Sequence, residues 1–250
     1  MKHLLIQIIG TGSTGNAYKI NDGNSALLLD AGLPFRKIQE AIGFTASLLS
    51  GALITHEHGD HVRAARDLLD IGVPVYTSQG TAEAAMLSGH YLRLVEPLKS
   101  YTIGSYTIMP FDVEHDAVEP LGFLIKSNVT GAKLLYVTDT YRIKYRFKGI
   151  THLMIECNFV NDLLVDNVES SVVDYGNRLY GNHMELSTVV DFAASLDQDA
   201  LQEVHLLHLS ESNSDEKRMK EAVQKATGAA VYVAPKNFNN NRKRIRKNEV

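Results

Sequence analysis

The chain holds a single cysteine, Cys157, in 250 residues. This excludes an internal disulfide framework and any zinc site built from several thiolates, so a metal bound here must rely on histidine and carboxylate. No stretch approaches the roughly 18 uncharged apolar residues of a membrane span, and residues 1–7 are too few and too polar for a signal peptide. A cytoplasmic protein with no membrane partner is expected. Broad positive charge is also missing. The formal net charge is −4, and residues 236–250 hold six of the 25 basic and one of the 29 acidic residues, which leaves residues 1–235 at −9. So acidic a body lacks the field with which proteins grip long duplexes by their phosphates, and it favours a small substrate.

Hydrophobic residues make up 44% of the chain, enough to bury a sizeable core. With no solenoid-period repeat and no long linker, one compact domain is expected over residues 1–235. Residues 236–250 read as a flexible basic tail, either a solvated terminus or an arm for nucleic acid, without interleaved aromatics for base stacking. Short β-branched or apolar runs at 4–9, 26–29, 52–54, 73–76, 106–111, 123–125, 134–137, 152–155, 204–207 and 230–233 predict strands. Helical spacing appears at 35–42, 61–69, 80–87, 187–196 and 214–226, the last opened by a capping signal at Asn213, Ser214 and Asp215. The fold class is therefore mixed α/β.

The densest chemistry lies in His56, Glu57, His58, Gly59, Asp60 and His61, directly after an apolar strand. Four potential metal ligands within six positions answer no packing requirement. His56 and His58 alternate, so they project to one side of an extended segment, while Asp60 and His61 sit where a helix begins and turn towards a neighbouring point. That pattern suits two adjacent metals. Imidazole and carboxylate favour zinc and also admit manganese or iron.

This run resembles the His-x-His-x-Asp-His signature of the metallo-β-lactamase fold superfamily. Further elements follow in the family's order: Gly12 to Asn16 after the first strand, Leu29 to Gly32, His115 and Asp116, Thr138 to Thr140, and His208 to Ser210. The resemblance implies a four-layer αββα sandwich. It also implies that His56, His58 and His115 bind one divalent metal, that Asp60, His61 and His208 bind the other, and that Asp139 bridges them. The nucleophile is then a metal-bridging hydroxide, with Asp60 among the catalytic residues. The resemblance also implies His208 rather than His205 as the ligand, because His208 lies at the strand end and matches the family's position, and the two have opposite strand parity.

Substrate contacts are read from four further positions. His183 stands where phosphodiesterase branches of the superfamily place a histidine near the scissile phosphate, so it is a candidate proton donor or phosphate contact; a helix-entry residue is the alternative. Glu156, Cys157 and Asn158 resemble a Glu-x-Asn element that would set Asn158 in the pocket, with Cys157 buried. Ser13 and Thr14 lie in a small, donor-rich loop able to approach a substrate or brace the metal loops. Residues 141–148 mix cations and aromatics and could grip phosphate and base, or form an amphipathic surface element with Ile143 and Phe147 inward at helical spacing.

A bridging aspartate and a cysteine placed elsewhere disfavour the lactam-cleaving branch with its cysteine ligand. The elements at Gly12 to Asn16, 115–120 and His208 to Ser210 look most like the phosphodiesterase side, which includes YycJ-type exonucleases, tRNA 3′-processing enzymes and phage cyclic-nucleotide phosphodiesterases. The expected function is hydrolysis of a nucleotide phosphodiester, plausibly a cyclic mononucleotide, because the exonuclease pattern Gly-His-x-Ser-Asn gives way here to Gly181-Asn182-His183-Met184-Glu185. An exonuclease acting on DNA or RNA ends and a non-catalytic, metal-stabilised nucleotide sensor are the alternatives. The resemblance also allows a homodimer.

Overall fold

The computed structural model describes residues 3–166 and 181–235, so the basic tail expected at 236–250 lies outside the described residues. In chain order the first half runs β1 (Leu5–Gly10), β2 (Ala17–Asn21), β3 (Ala26–Leu29), α1 (Phe35–Ala41), β4 (Gly51–Leu53), α2 (Gly59–Val62), α3 (Ala65–Asp70), β5 (Val75–Thr77), α4 (Gln79–Ala84) and β6 (Leu92–Leu94). The second half runs β7 (Tyr101–Ile103), β8 (Tyr106–Asp112), β9 (Leu121–Ser127), β10 (Lys133–Val137), β11 (His152–Glu156), α5 (Asn161–Asp166), α6 (Leu186–Ala194), β12 (Glu203–Leu207), α7 (Glu216–Thr227) and β13 (Ala230–Val233). The halves form separate sheets, ordered β1-β2-β3-β4-β5-β6 and β13-β12-β11-β10-β9-β8-β7. In each, the strands from the middle of the order to one edge are parallel, and the rest pair antiparallel.

Strand alternation assigns every apolar residue to a layer. Leu27 and Leu29 of β3 face the second sheet, where they meet Tyr106, Phe123, Leu134 and Tyr136. Their neighbour Leu28 points the other way, onto Ile38 of α1 and Leu68 of α3. In β10 the same parity sends Leu134 and Tyr136 inward and Leu135 and Val137 outward, the latter towards Val189 of α6 and Met219 and Val223 of α7. Three cores thus separate four layers, helix, sheet, sheet and helix, as the αββα expectation requires. Helix α7 is well bounded: Asp215 accepts from Arg218 N–H at 3.0 Å, and Gly228 closes the helix at φ 69°. An N-cap of this kind contributes about 1 kcal/mol.

The structure departs from the sequence reading in three places. Strands β2, β6 and β7 were not predicted; β6 and β7 are three-residue edge strands, too short for alternation to register. The helix expected over 61–69 is broken into α2 and α3. The cause is competition for its hydrogen bonds: Asp60 O accepts from Asn16 N–H at 2.7 Å, and Ala64 N–H donates to Ala31 O at 2.8 Å, so the bond from Ala64 to Asp60 that would continue the helix is not made. Lastly, residues 141–148 are irregular rather than helical, with Ile143, Tyr145 and Phe147 packed against the core between the second sheet and its helices.

The loops carrying Asn16, Ala31 and Asp60 are therefore laced to one another, and Gly32 lies at the crossing. Its N–H donates to Asn16 O at 2.8 Å, and a Cβ added to it would sit 1.6 Å from Asp60 O. No side chain can move aside there, because the obstacle is backbone. Gly32→Ala is expected to destabilise the fold by about 3 kcal/mol or more. Urea unfolding of the two proteins measures it; a difference within about 0.5 kcal/mol, typical of indifferent surface positions, would show that the loops are not so bound.

Candidate metal centre

All seven candidate ligands follow strand ends on the same edge of the sandwich, where neighbouring loops converge. After β4 the chain stays extended through His58, whose φ and ψ are −60° and 142°, and the His56 and His58 rings lie 4.7 Å apart. α2 then turns Asp60 and His61 to the adjacent point. His115 follows β8, Asp139 follows β10 and His208 follows β12. Two groups result. Ligand-capable atoms of His56, His58 and His115 lie within 4.8 Å of one another, as do those of Asp60, His61, Asp139 and His208. The groups adjoin, with the His56 and His61 rings 4.1 Å apart.

The donors fit divalent cations. His56 Nε2 and His115 Nδ1 are buried and have no hydrogen-bond partner among the described residues, which in a protein interior costs about 1–3 kcal/mol unless a ligand compensates. In the second group like and unlike charges are crowded together: His61 Nε2 is 3.3 Å from Asp139 and 3.6 Å from Asp60, and His208 Nδ1 is 3.2 Å from Asp139. Burial works against the charge on His61, yet Asp139 and Asp30 push it up to about 10. Burial likewise opposes ionisation of Asp139, but His208 and His61 hold it well below the ordinary carboxylate range. In the three-histidine group burial and the neighbouring His61 pull His56 well down, which leaves a neutral imidazole able to ligate. The absence of thiolates and the mixture of imidazole and carboxylate suit zinc or manganese.

Two acidic residues given no role from sequence hold this array in place. Asp30 is fully buried at the end of β3; it accepts from His61 Nδ1 at 2.8 Å, from Thr55 N–H at 2.8 Å and from Tyr136 O–H. It thereby fixes the ring so that Nε2 faces the site. Glu156, also fully buried, ends β11. Its Oε1 lies 2.8 Å from His208 Nδ1 and 2.6 Å from His183 Nδ1, and its Oε2 accepts from Thr140 and Met184 N–H. Each ends a strand of buried apolar residues, and a carboxylate at such a place was the signal available in the sequence. Asp30, Asp139 and His208 all adopt positive φ, at 54°, 37° and 51°. Conformations of this kind cost about 1–3 kcal/mol each and gather at functional sites.

The proposed substrate residues assemble beside the second group. Ser13, Thr14, Asn158 and His183 line a cavity of about 380 Å³ together with His208 and residues 209–212. Burial opposes protonation of His183, but Glu156 raises it overall. The remaining sequence candidates lie elsewhere or are occupied. His205 stacks on Tyr232 and meets Glu203 at 3.1 Å, away from the cluster. Arg142 and Lys144 both pair with Glu114, at 2.8 Å each, on an exposed part of the surface. Cys157 is buried, and burial pushes its thiol well up.

Four layers of this topology with a histidine and aspartate cluster at the strand ends define a metallo-β-lactamase-type metal-binding domain. Residues 26–208 match the beta-lactamase superfamily domain, and the chain belongs to that family. It is 34% identical over 159 residues to Exodeoxyribonuclease YycJ of Bacillus anthracis, covering 59% of this chain and 58% of that protein. With Exodeoxyribonuclease WalJ of Streptococcus pneumoniae it shares 32% identity over 173 residues, 63% of each chain. The chain thus spans about three fifths of the length of these curated relatives. Among solved structures, the metallo-beta-lactamase fold protein YhfI from Bacillus subtilis superposes with a TM-score of 0.72 at 18% identity, covering 93% of this chain and 97% of that one. No helix among the described residues is long and apolar enough to cross a membrane.

Replacement of Asp30 tests the positioning account without removing any candidate ligand. Asp30→Asn is expected to weaken metal binding about 10- to 100-fold, the usual cost of losing such a supporting carboxylate. Competition with a chromogenic chelator reads this directly, and unchanged affinity would sever Asp30 from the metal centre.

Proposed function

We propose that the chain is a metal-dependent phosphodiesterase that hydrolyses a nucleotide phosphodiester at the end of a nucleic acid, most consistently DNA. The observation that carries this reading is the adjacency of two metal-capable groups to His183, which lines the cavity and whose Nδ1 is held 2.6 Å from Glu156. Under this proposal His56, His58 and His115 hold one divalent ion, Asp60, His61 and His208 hold the other, and Asp139 lies between them. Bound ions of this kind supply electrophilic pull on the phosphate and lower the pKa of the attacking water. The protein's own part is geometric and protonic. Glu156 keeps the His183 ring turned, so that Nε2 can give its proton to the sugar alkoxide as the phosphorus–oxygen bond breaks. Asn158, with Ser13 and Thr14, forms the walls against which the departing nucleoside rests.

Similarity to two exodeoxyribonucleases supports the nucleic-acid end as substrate. His183 also lies against the cluster although its surrounding motif departs from the exonuclease pattern, so that departure weighs less against an exonuclease than the bare sequence suggests. A cyclic mononucleotide is the second reading. It rests on the acidic body, −9 over residues 1–235, and on a cavity sized for one nucleotide.

Turnover with two kinds of leaving group tests the assignment. His183→Ala is expected to lower kcat on a DNA oligonucleotide by about 100-fold or more. A nitrophenyl phosphodiester, whose leaving group needs no proton, is expected to lose far less. Equal losses on both would remove His183 as proton donor, and a zinc- or manganese-loaded protein that cleaves neither oligonucleotides nor cyclic nucleotides would overturn the phosphodiesterase reading.

A further inference from the structure

Asp30 and Thr55 stand side by side because they closely follow the parallel neighbours β3 and β4. Both are buried, and the hydrogen bonds between them run in one direction. The Thr55 hydroxyl carries a single proton. It lies 3.0 Å from Asp30 Oδ1 and 3.1 Å from Oδ2, and a carboxylate only accepts, so the proton points at Asp30. The hydroxyl oxygen also lies 3.0 Å from His56 Nδ1. With its proton committed it can only accept there, so the proton of that contact belongs to His56 Nδ1. The same oxygen is 3.4 Å from His61 Nδ1, but that N–H has the nearer Asp30 Oδ2 at 2.8 Å.

A ligating imidazole is neutral, so a proton on Nδ1 leaves the lone pair on Nε2. A second observation agrees. His56 Nε2 is the buried nitrogen that has no hydrogen-bond partner among the described residues, whereas Nδ1 has Thr55. We infer that Thr55 is a positioning residue for the ion of the three-histidine group: it extends the hold of Asp30 to His56, so that one buried carboxylate orients a ligand of each ion, His61 directly and His56 through a hydroxyl. The two metal-capable groups then share a support on the first sheet. The inference rests on the ligand assignment proposed above and is independent of the substrate. Valine has the shape of threonine without its hydroxyl, so Thr55→Val takes the acceptor from His56 Nδ1 while His61 keeps Asp30.

Zinc titration of the full chain against a chromogenic chelator, resolved into two dissociation constants, gives the test. Thr55→Val is expected to weaken one constant about 10- to 100-fold, the usual cost of a lost supporting partner, and to leave the other within about twofold. Thr55→Ser keeps the hydroxyl and should retain both. In a His115→Ala background, where the three-histidine ion has already lost a ligand, Thr55→Val should leave the remaining constant unchanged. A long-range proton–nitrogen correlation spectrum of the zinc-loaded native protein needs no variant to fold, and should show the His56 proton on Nδ1. Constants untouched by Thr55→Val, equal loss in both, a loss shared by Thr55→Ser or persisting in the His115→Ala background, or a His56 proton on Nε2 would overturn the inference while leaving the ligand assignment standing. A native protein that takes up no zinc would overturn both.

Discussion

The candidate metal-binding loop depends on one backbone carbonyl being kept out of its own helix. Asp60 O, which in an uninterrupted helix would accept from Ala64, instead receives Asn16 N–H at 2.7 Å. That exchange stops α2 after one turn and ties the run from His56 to His61 to the loop after β1. The Asn16 side chain adds to the tie, with Nδ2 2.9 Å from His61 Nε2. Gly32 fills the crossing because nothing larger than hydrogen fits against the Asp60 carbonyl. Three loops distant in sequence are thus locked before any metal is considered, and the ligand geometry inherits their rigidity.

Buried carboxylates do the rest of the positioning. Asp30 and Glu156 are fully buried, and each spends its lone pairs on an imidazole and on backbone N–H groups. Removal of ionised groups from water is expensive, and such residues persist where several donors compensate them. Glu156 has a particular place, since the same oxygen meets the candidate ligand His208 and the candidate donor His183. The candidate metal ligand His208 and the candidate donor His183 therefore share one support rather than standing on independent ones.

Much of this was legible in the sequence, for reasons that can be named. Buried strands such as β3, β10 and β12 announce themselves by apolar runs, and the layer each of their residues faces follows from parity. The crowding of His56, His58, Asp60 and His61 was equally plain because packing offers no cause for it. The structure brings His115, Asp139 and His208 to the same place, which the sequence could suggest only through the order of motifs. What stayed hidden was decided by long-range contact. No local feature of residues 61–69 reveals that Asn16 and Ala31 interrupt the helix, and no local feature of Tyr141 to Lys148 shows that Glu114 pairs with Arg142 and Lys144. Asp30 and Glu156 were written in the chain, but a carboxylate at a strand end gains its role only from the imidazoles that meet it across the fold.

The division of the cluster between the two sheets bears on how the protein is made. His56, His58, Asp60 and His61 belong to the first sheet and are synthesised early, whereas His115, Asp139 and His208 belong to the second and arrive progressively, the last near the C-terminal end of the domain. Until β12 has emerged from the ribosome, a nascent chain holds only part of the ligand set and must shield a half-sandwich whose inner face, with Tyr18, Leu27 and Leu29, is apolar. Under the proposed ligand assignment the full set of candidate metal ligands can come together only once β12 has been made, and it joins the first half of the chain to the second.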